Sequence, residues 1–155
     1  MANLTVTVSE SVTLNGAVRG NTNELTITGI ESVFERVLSI PGGADTTVLL
    51  TKATVADSDN AIDIQDTKYI RITNLDSTNS VTLSLQIDAG ESSSAADESC
   101  SILLEAGKTF MMGTPHDSIG VNDSSATITA AHDLESIVVD SGGNTVKLEV
   151  FVAGV

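Results

Sequence analysis

The 155-residue chain carries 7 Lys+Arg against 21 Asp+Glu, a formal charge of -14, which repels the phosphate backbone that nucleic-acid binders neutralise with cations. Its longest apolar runs span a few residues, far short of the ~20 needed for a membrane helix, so neither nucleic acid nor membrane is expected as a partner. Hydrophobic residues make up 41% of the chain, yet the aromatics are only Phe34, Tyr69, Phe110 and Phe151. The core must therefore be Val, Ile, Leu and Ala, a choice that suits the pleated surface of strands.

The length fits one domain over residues 1–155. A lone Cys100 leaves no intrachain disulfide to form, and the opening Met1-Ala2-Asn3-Leu4-Thr5 lacks the n-region and h-region of a secretion signal. Synthesis in a reducing cytoplasm is the expectation.

In chain order, Leu4 to Val8 and Ser11 to Leu14 alternate apolar with hydroxylated residues at period two, the mark of half-buried strands. Together they form a candidate N-terminal strand or arm over about 1–14, followed by the turn signal Asn15-Gly16. Further strands are expected over Glu24 to Thr28 and over Ser32 to Ile40. In the second of these, Phe34, Arg36, Leu38 and Ile40 form the core face, with Arg36 near an edge. Pro41-Gly42-Gly43 ends that strand. Thr46 to Thr51 supplies another, and a polar loop from Ala56 to Asn60 precedes a short Ile62/Ile64 segment.

Lys68 to Asn74 and Ser80 to Ile87 flank Asp76-Ser77-Thr78-Asn79 and read as an antiparallel hairpin. An acidic, Ser-rich loop is expected over about 88–99. Strands follow at Ser101 to Leu104, Lys108 to Met112, Ala126 to Thr129, Ser136 to Val139 and Thr145 to Val152, with room for one helical turn over Ala130 to Glu135. Many short strands at roughly ten-residue spacing indicate an all-β fold, an antiparallel β-sandwich of jelly-roll-like type.

Each chemical motif in the chain has a structural reading. Asp140-Ser141-Gly142-Gly143 is similar to a protease nucleophile segment, but no histidine lies upstream within the first 115 residues to act as its base, and a turn is expected instead. Asp57-Ser58-Asp59-Asn60-Ala61-Ile62-Asp63 begins like a calcium loop. It places Ile62 where Gly is required and Lys68 where Glu should bind, and it is read as a solvated loop. His116 and His132 precede Asp117 and Asp133, an arrangement that invites pairing with Ser118 or a metal. Without a Cys cluster or an H-E-x-x-H helix they are expected to cap turns. Met111 and Met112, beside Phe110, are expected to fill a core or a subunit contact. No catalytic residue, no cofactor-binding residue and no metal ligand stands out, and neither a cofactor nor enzyme activity is expected.

Three segments, Ala2 to Gly16, Lys68 to Asp76 and Leu104 to His116, together resemble small virion-associated proteins of marine tailed bacteriophages. The resemblance implies a non-enzymatic structural protein of the virion, a capsid decoration or cement protein seated on the major capsid protein. It also implies a homo-oligomer, with a trimer favoured. The alternative is a receptor- or carbohydrate-binding module of a tail or fibre, or another head or tail component. The surfaces expected to make contacts are the N-terminal strand and the acidic Ser-rich loop.

Overall fold

The computed structural model describes residues 1–52, 62–88, 98–120 and 131–155, and every regular element in them is a strand. The thirteen strands are β1 (Ala2–Ser9), β2 (Val12–Leu14), β3 (Ala17–Arg19), β4 (Thr22–Ile30), β5 (Ser32–Ile40), β6 (Thr46–Lys52), β7 (Ile62–Asp63), β8 (Thr67–Asn74), β9 (Val81–Asp88), β10 (Glu98–Leu104), β11 (Thr109–Met112), β12 (Asp133–Asp140) and β13 (Val146–Gly154).

Two sheets form the body, ordered β10-β9-β12-β6-β7 and β11-β8-β13-β5. All pairings are antiparallel except that of β6 with the two-residue β7. The period-two pattern gives each sheet one apolar face. Those faces meet in one cluster, to which β8 and β13 bring Ile70, Ile72, Leu148 and Val150, while β9 and β12 bring Leu83, Leu85, Ile137 and Val139. From β5 onward, eight strands enter the two sheets in the order of a jelly roll, with β5, β8, β11 and β13 in one and β6, β9, β10 and β12 in the other. The expected all-β sandwich is what the chain forms. The core-face assignment in β5 also holds: Phe34 and Leu38 pack on the central cluster, Ile40 belongs to it, and β5 is an edge strand.

The hairpin expected between Lys68–Asn74 and Ser80–Ile87 does not form. The two strands lie in opposite sheets, β8 pairing with β11 and β13, and β9 with β10 and β12. Both strands carry an aliphatic face, and facing each other across the core buries both at once. The connection is an arch held by Asn74, which is fully buried. Its Nδ2 donates to the Asn79 carbonyl (2.9 Å) and to the Leu104 carbonyl (3.2 Å), and its Oδ1 accepts from the Asp76 N–H (3.0 Å). Asp76 then closes the turn, its Oδ1 accepting from the N–H groups of Thr78 (2.8 Å) and Asn79 (2.7 Å).

The other crossings at this end are joined in the same way. Ser141 Oγ donates to the Pro41 carbonyl (2.9 Å), and the Gly107 N–H donates to the Asn74 carbonyl (3.1 Å). A Cβ on Gly42 would stand 2.6 Å from Gly143 carbonyl atoms, so the turns after β5 and β12 meet backbone to backbone.

Asp133 to Glu135 belong to β12 and not to a helical turn. Irregularities between Leu134 and Ser136 and between Ile137 and Val138 place Leu134, Ile137 and Val139 all inside. Thr51 Oγ1 sits against the Leu134 and Glu135 carbonyls at the first irregularity, with 2.8 Å to Glu135. Asp88 ends β9, and Glu98 and Ser99 begin β10, so the loop expected over about 88–99 is shorter at both ends. Its residues 89–97 lie outside the described residues, as does the strand expected over Ala126 to Thr129.

Replacing Asn74 by Leu removes donors from two carbonyls and an acceptor from one N–H. At about 1–3 kcal/mol for each buried group left unmade, urea unfolding should show a loss of roughly 3 kcal/mol, and a loss under about 0.5 kcal/mol would contradict the arch. Hydrogen bonds from Asn79 and Thr78 hold the Asp76 carboxyl below the usual carboxylate range. Its contribution is therefore present above the unfolded-state value and is lost as pH falls through the depressed folded value. Stability measured against pH should show this acid-side loss in the wild type and not in Asp76→Asn.

Candidate functional site

The first thirty residues build a feature outside the sandwich. β1 and β4 pair from Ser9↔Thr22 down to Ala2↔Ile30, and β2 and β3 pair from Val12↔Arg19 to Leu14↔Ala17. The result is one two-stranded ribbon, of which the segment expected as an arm is the first limb. Its tip is the two-residue turn Asn15-Gly16, both residues at positive φ (51° and 78°), the geometry that Asn-Gly favours in tight hairpins. Two glycines shape the ribbon. Gly29 (φ 79°) is the extra residue opposite the Ala2–Asn3 step and bends the base. Gly20 (φ 128°) lies so close to the other limb that a Cβ would stand 2.0 Å from the Glu10 carbonyl oxygen, beside the Glu10 N–H to Asn21 carbonyl bond of 2.9 Å.

One face of the ribbon is apolar and the other is rich in Thr and Ser. At its base, Leu4, Val6 and Ile27 pack with Ile30 on Tyr69, Phe151 and Ala153, which face outward from β8 and β13. Tyr69 meets Phe151 edge to face, with centroids 6.1 Å apart, and burial pushes its hydroxyl pKa up. Further out, Val6, Val8 and Leu25 overhang a groove of about 300 Å³ above Tyr69, Met111 and Met112. The ribbon thus crosses the outer face of the sheet from β13 over β8 to β11. Residues 10–26 are exposed throughout, so the distal part extends roughly 20 Å past the β11 flank at about 3.3 Å per residue. Val12, Leu14, Val18 and Leu25 are each more than half exposed, Val18 at 74%.

The opposite flank is also open. Among the described residues β5 pairs only with β13, and its outward row of Val33, Glu35 and Val37 leaves both valines more than half exposed. Arg36, on the inward row, lies over the Phe34 ring at 4.9 Å to the centroid. Beside the start of β5 lies a groove of about 450 Å³ with Phe34, Val152 and Val155 among its apolar lining and Glu31, Asp63 and Asp66 among its acidic lining.

The structure brings some of the chemical candidates together. His116 Nδ1 is 2.8 Å from Asp133 Oδ1, which also accepts the Asp117 N–H at 2.8 Å, and His116 Nε2 is 3.3 Å from Asp117 Oδ2. A carboxylate only accepts, so the Nδ1 atom carries the proton toward Asp133. Ser118 and Ile119 meet His132 through backbone bonds of 2.8–3.2 Å. The cluster joins the chain after Pro115 to the start of β12. Among the described residues, His116, Asp117 and Asp133 are the group whose donor atoms lie close enough together to share an ion, and all three are already engaged in closing this loop.

Ser141 and Asp140 form a turn, the Asp140 carboxylate accepting the Gly142 N–H at 2.7 Å. Of the segment compared with a calcium loop, 57–61 lie outside the described residues. Asp63 caps the next turn through the Gln65 N–H at 2.9 Å. Met111 faces outward, exposed, while Phe110 and Met112 pack on the core.

No family model and no curated protein matches the chain. Among solved structures it is similar to a chain of the Bacillus endospore appendages, a family of disulfide-linked pili, at 10% identity over 83% of this chain and 92% of that one, with a TM-score of 0.36.

The close approach at Gly20 yields a separable test. Gly20→Val should loosen the distal ribbon, seen as faster proteolysis between residues 10 and 22, while the unfolding midpoint of the sandwich stays in place. Unchanged proteolysis would contradict the described path of the ribbon.

Proposed function

We propose that this chain is a non-enzymatic structural protein of a phage virion, a capsid decoration or cement protein. In this reading it is made in the host cytoplasm and joins the head by contacts with the major capsid protein and with copies of itself, a trimer being favoured. The observation that carries the reading is the ribbon, which holds Val12, Leu14 and Val18 in water beyond the body and leaves Leu25, over the sheet, more than half exposed. Fully covering a side chain of this kind is worth about 1.5–3 kcal/mol. Since the four are 56–74% exposed, covering them all contributes about 4–7 kcal/mol, a large part of the ~8 kcal/mol of a micromolar contact, before the costs of association are subtracted.

Two further points support assembly on a particle. Jelly rolls serve as coat domains among other roles, although a fold by itself does not fix a function. The charge of -14 keeps the free protein soluble and off nucleic acid until it meets its site.

Mass spectrometry of purified virions should find the protein in the head fraction. The recombinant chain should also bind empty shells, and a Leu14→Asp/Val18→Asp variant should bind them at least tenfold more weakly. Absence from the particle, or recovery only with tails, would contradict the decoration role.

A further inference from the structure

We infer that the distal ribbon of one copy docks on the β5 flank of a second copy, a head-to-tail contact that deepens the assembly reading above and rests on it. Donor and acceptor lie at opposite sides of the molecule. The ribbon leaves over β11, which follows β10 after the four-residue turn 105–108, so β10 and β11 share a flank. β5 leads into β6 through residues 41–45, which places those strands together at the other flank. The ribbon tip therefore cannot serve its own β5 edge, and a neighbour displaced across the sheet presents that edge to it.

The surfaces match in kind. On one face the tip offers Val12 and Leu14 beside the cation of Arg19, which stands opposite Val12 in the register, while Val18, paired with Thr13, is exposed on the other face. The acceptor offers Val33 and the apolar groove floor of Phe34 and Val152, rimmed by Glu31, Asp63 and Asp66. Arg19 has no ion-pair partner among the described residues of its own chain, whereas Arg71 is already tied to Glu149 at 2.6 Å. β5 further supplies a row of backbone groups beside the groove that is unpaired among the described residues, along which the edge of a ribbon can add.

β10 and β11 also end their sheets, but they lie on the flank where the ribbon emerges. Because donor and acceptor differ, the contact is heterologous: repeated with a closing rotation it makes a ring, and without one a filament.

Complementation tests this contact. The full chain, run through size-exclusion chromatography with light scattering, should form a concentration-dependent oligomer. A donor variant, Leu14→Asp/Val18→Asp, and an acceptor variant, Val33→Asp, should each run as monomers with unchanged circular dichroism. All three substitutions fall on exposed side chains. Mixed in equal amounts, each variant supplies the half the other lacks, and a species of twice the monomer mass should appear. Arg19→Glu provides a second donor variant should the paired aspartates disturb the ribbon, with at least tenfold weaker self-association expected.

A wild type that stays monomeric, a donor or acceptor variant that assembles like the wild type, or a mixture that stays monomeric would each overturn the contact. Shell binding by the same proteins separates the two proposals. Self-association without shell binding overturns the decoration role alone, and shell binding by a monomeric wild type overturns the head-to-tail contact alone.

Discussion

The burial of Ile70 and Ile72 from one sheet with Leu83 and Leu85 from the other, in one aliphatic cluster, is the contact on which the rest of the structure depends. A core with so few rings gains its stability from many β-branched and leucine side chains interdigitated between two pleated faces. Every body strand must therefore turn its apolar row toward the opposite sheet. That requirement sends the chain from sheet to sheet at nearly every connection, and it makes the crossings the places where polar groups need partners. Asn74, Asp76 and Ser141 supply them.

The same constraint explains the ribbon. Once the inner faces have filled each other, the apolar row of β1 and β4 has no place in the central cluster. It finds cover on the outer face at Tyr69 and Phe151, where a second, smaller cluster forms. That cover ends near Met111, while the ribbon continues. Beyond this point the apolar row persists in Val12 and Leu14, with Val18 exposed on the other face, and this row is what the proposed contact would cover.

Strand content was legible in the sequence because period two is a local property, and β1 and the first seven residues of β13 show it. Pairing was not, because it depends on which faces meet. The segments of β8 and β9 look like a hairpin, separated as they are by Asp76-Ser77-Thr78-Asn79, and only the shared core shows that their connection is an arch. At β12 the local signal itself was broken: the irregularity beside Glu135 separates Leu134 from Ile137 by three positions, which reads as a helical turn. The ribbon was half legible. Asn15-Gly16 marked its tip, but nothing local joins Leu4 to Ile27, and the role of Gly20 is visible only once Glu10 lies against it. The pairing of His116 with Asp133 was hidden for the same reason, since each histidine stands next to a nearer aspartate in sequence.

Hydrogen exchange measured against protein concentration discriminates whether the distal ribbon acts in assembly as proposed. Amides of β2 and β3 at the tip and of the free β5 edge should gain protection together as concentration rises, while those of β8 and β13 stay constant. Tip amides that exchange at the same rate at every concentration would contradict that role.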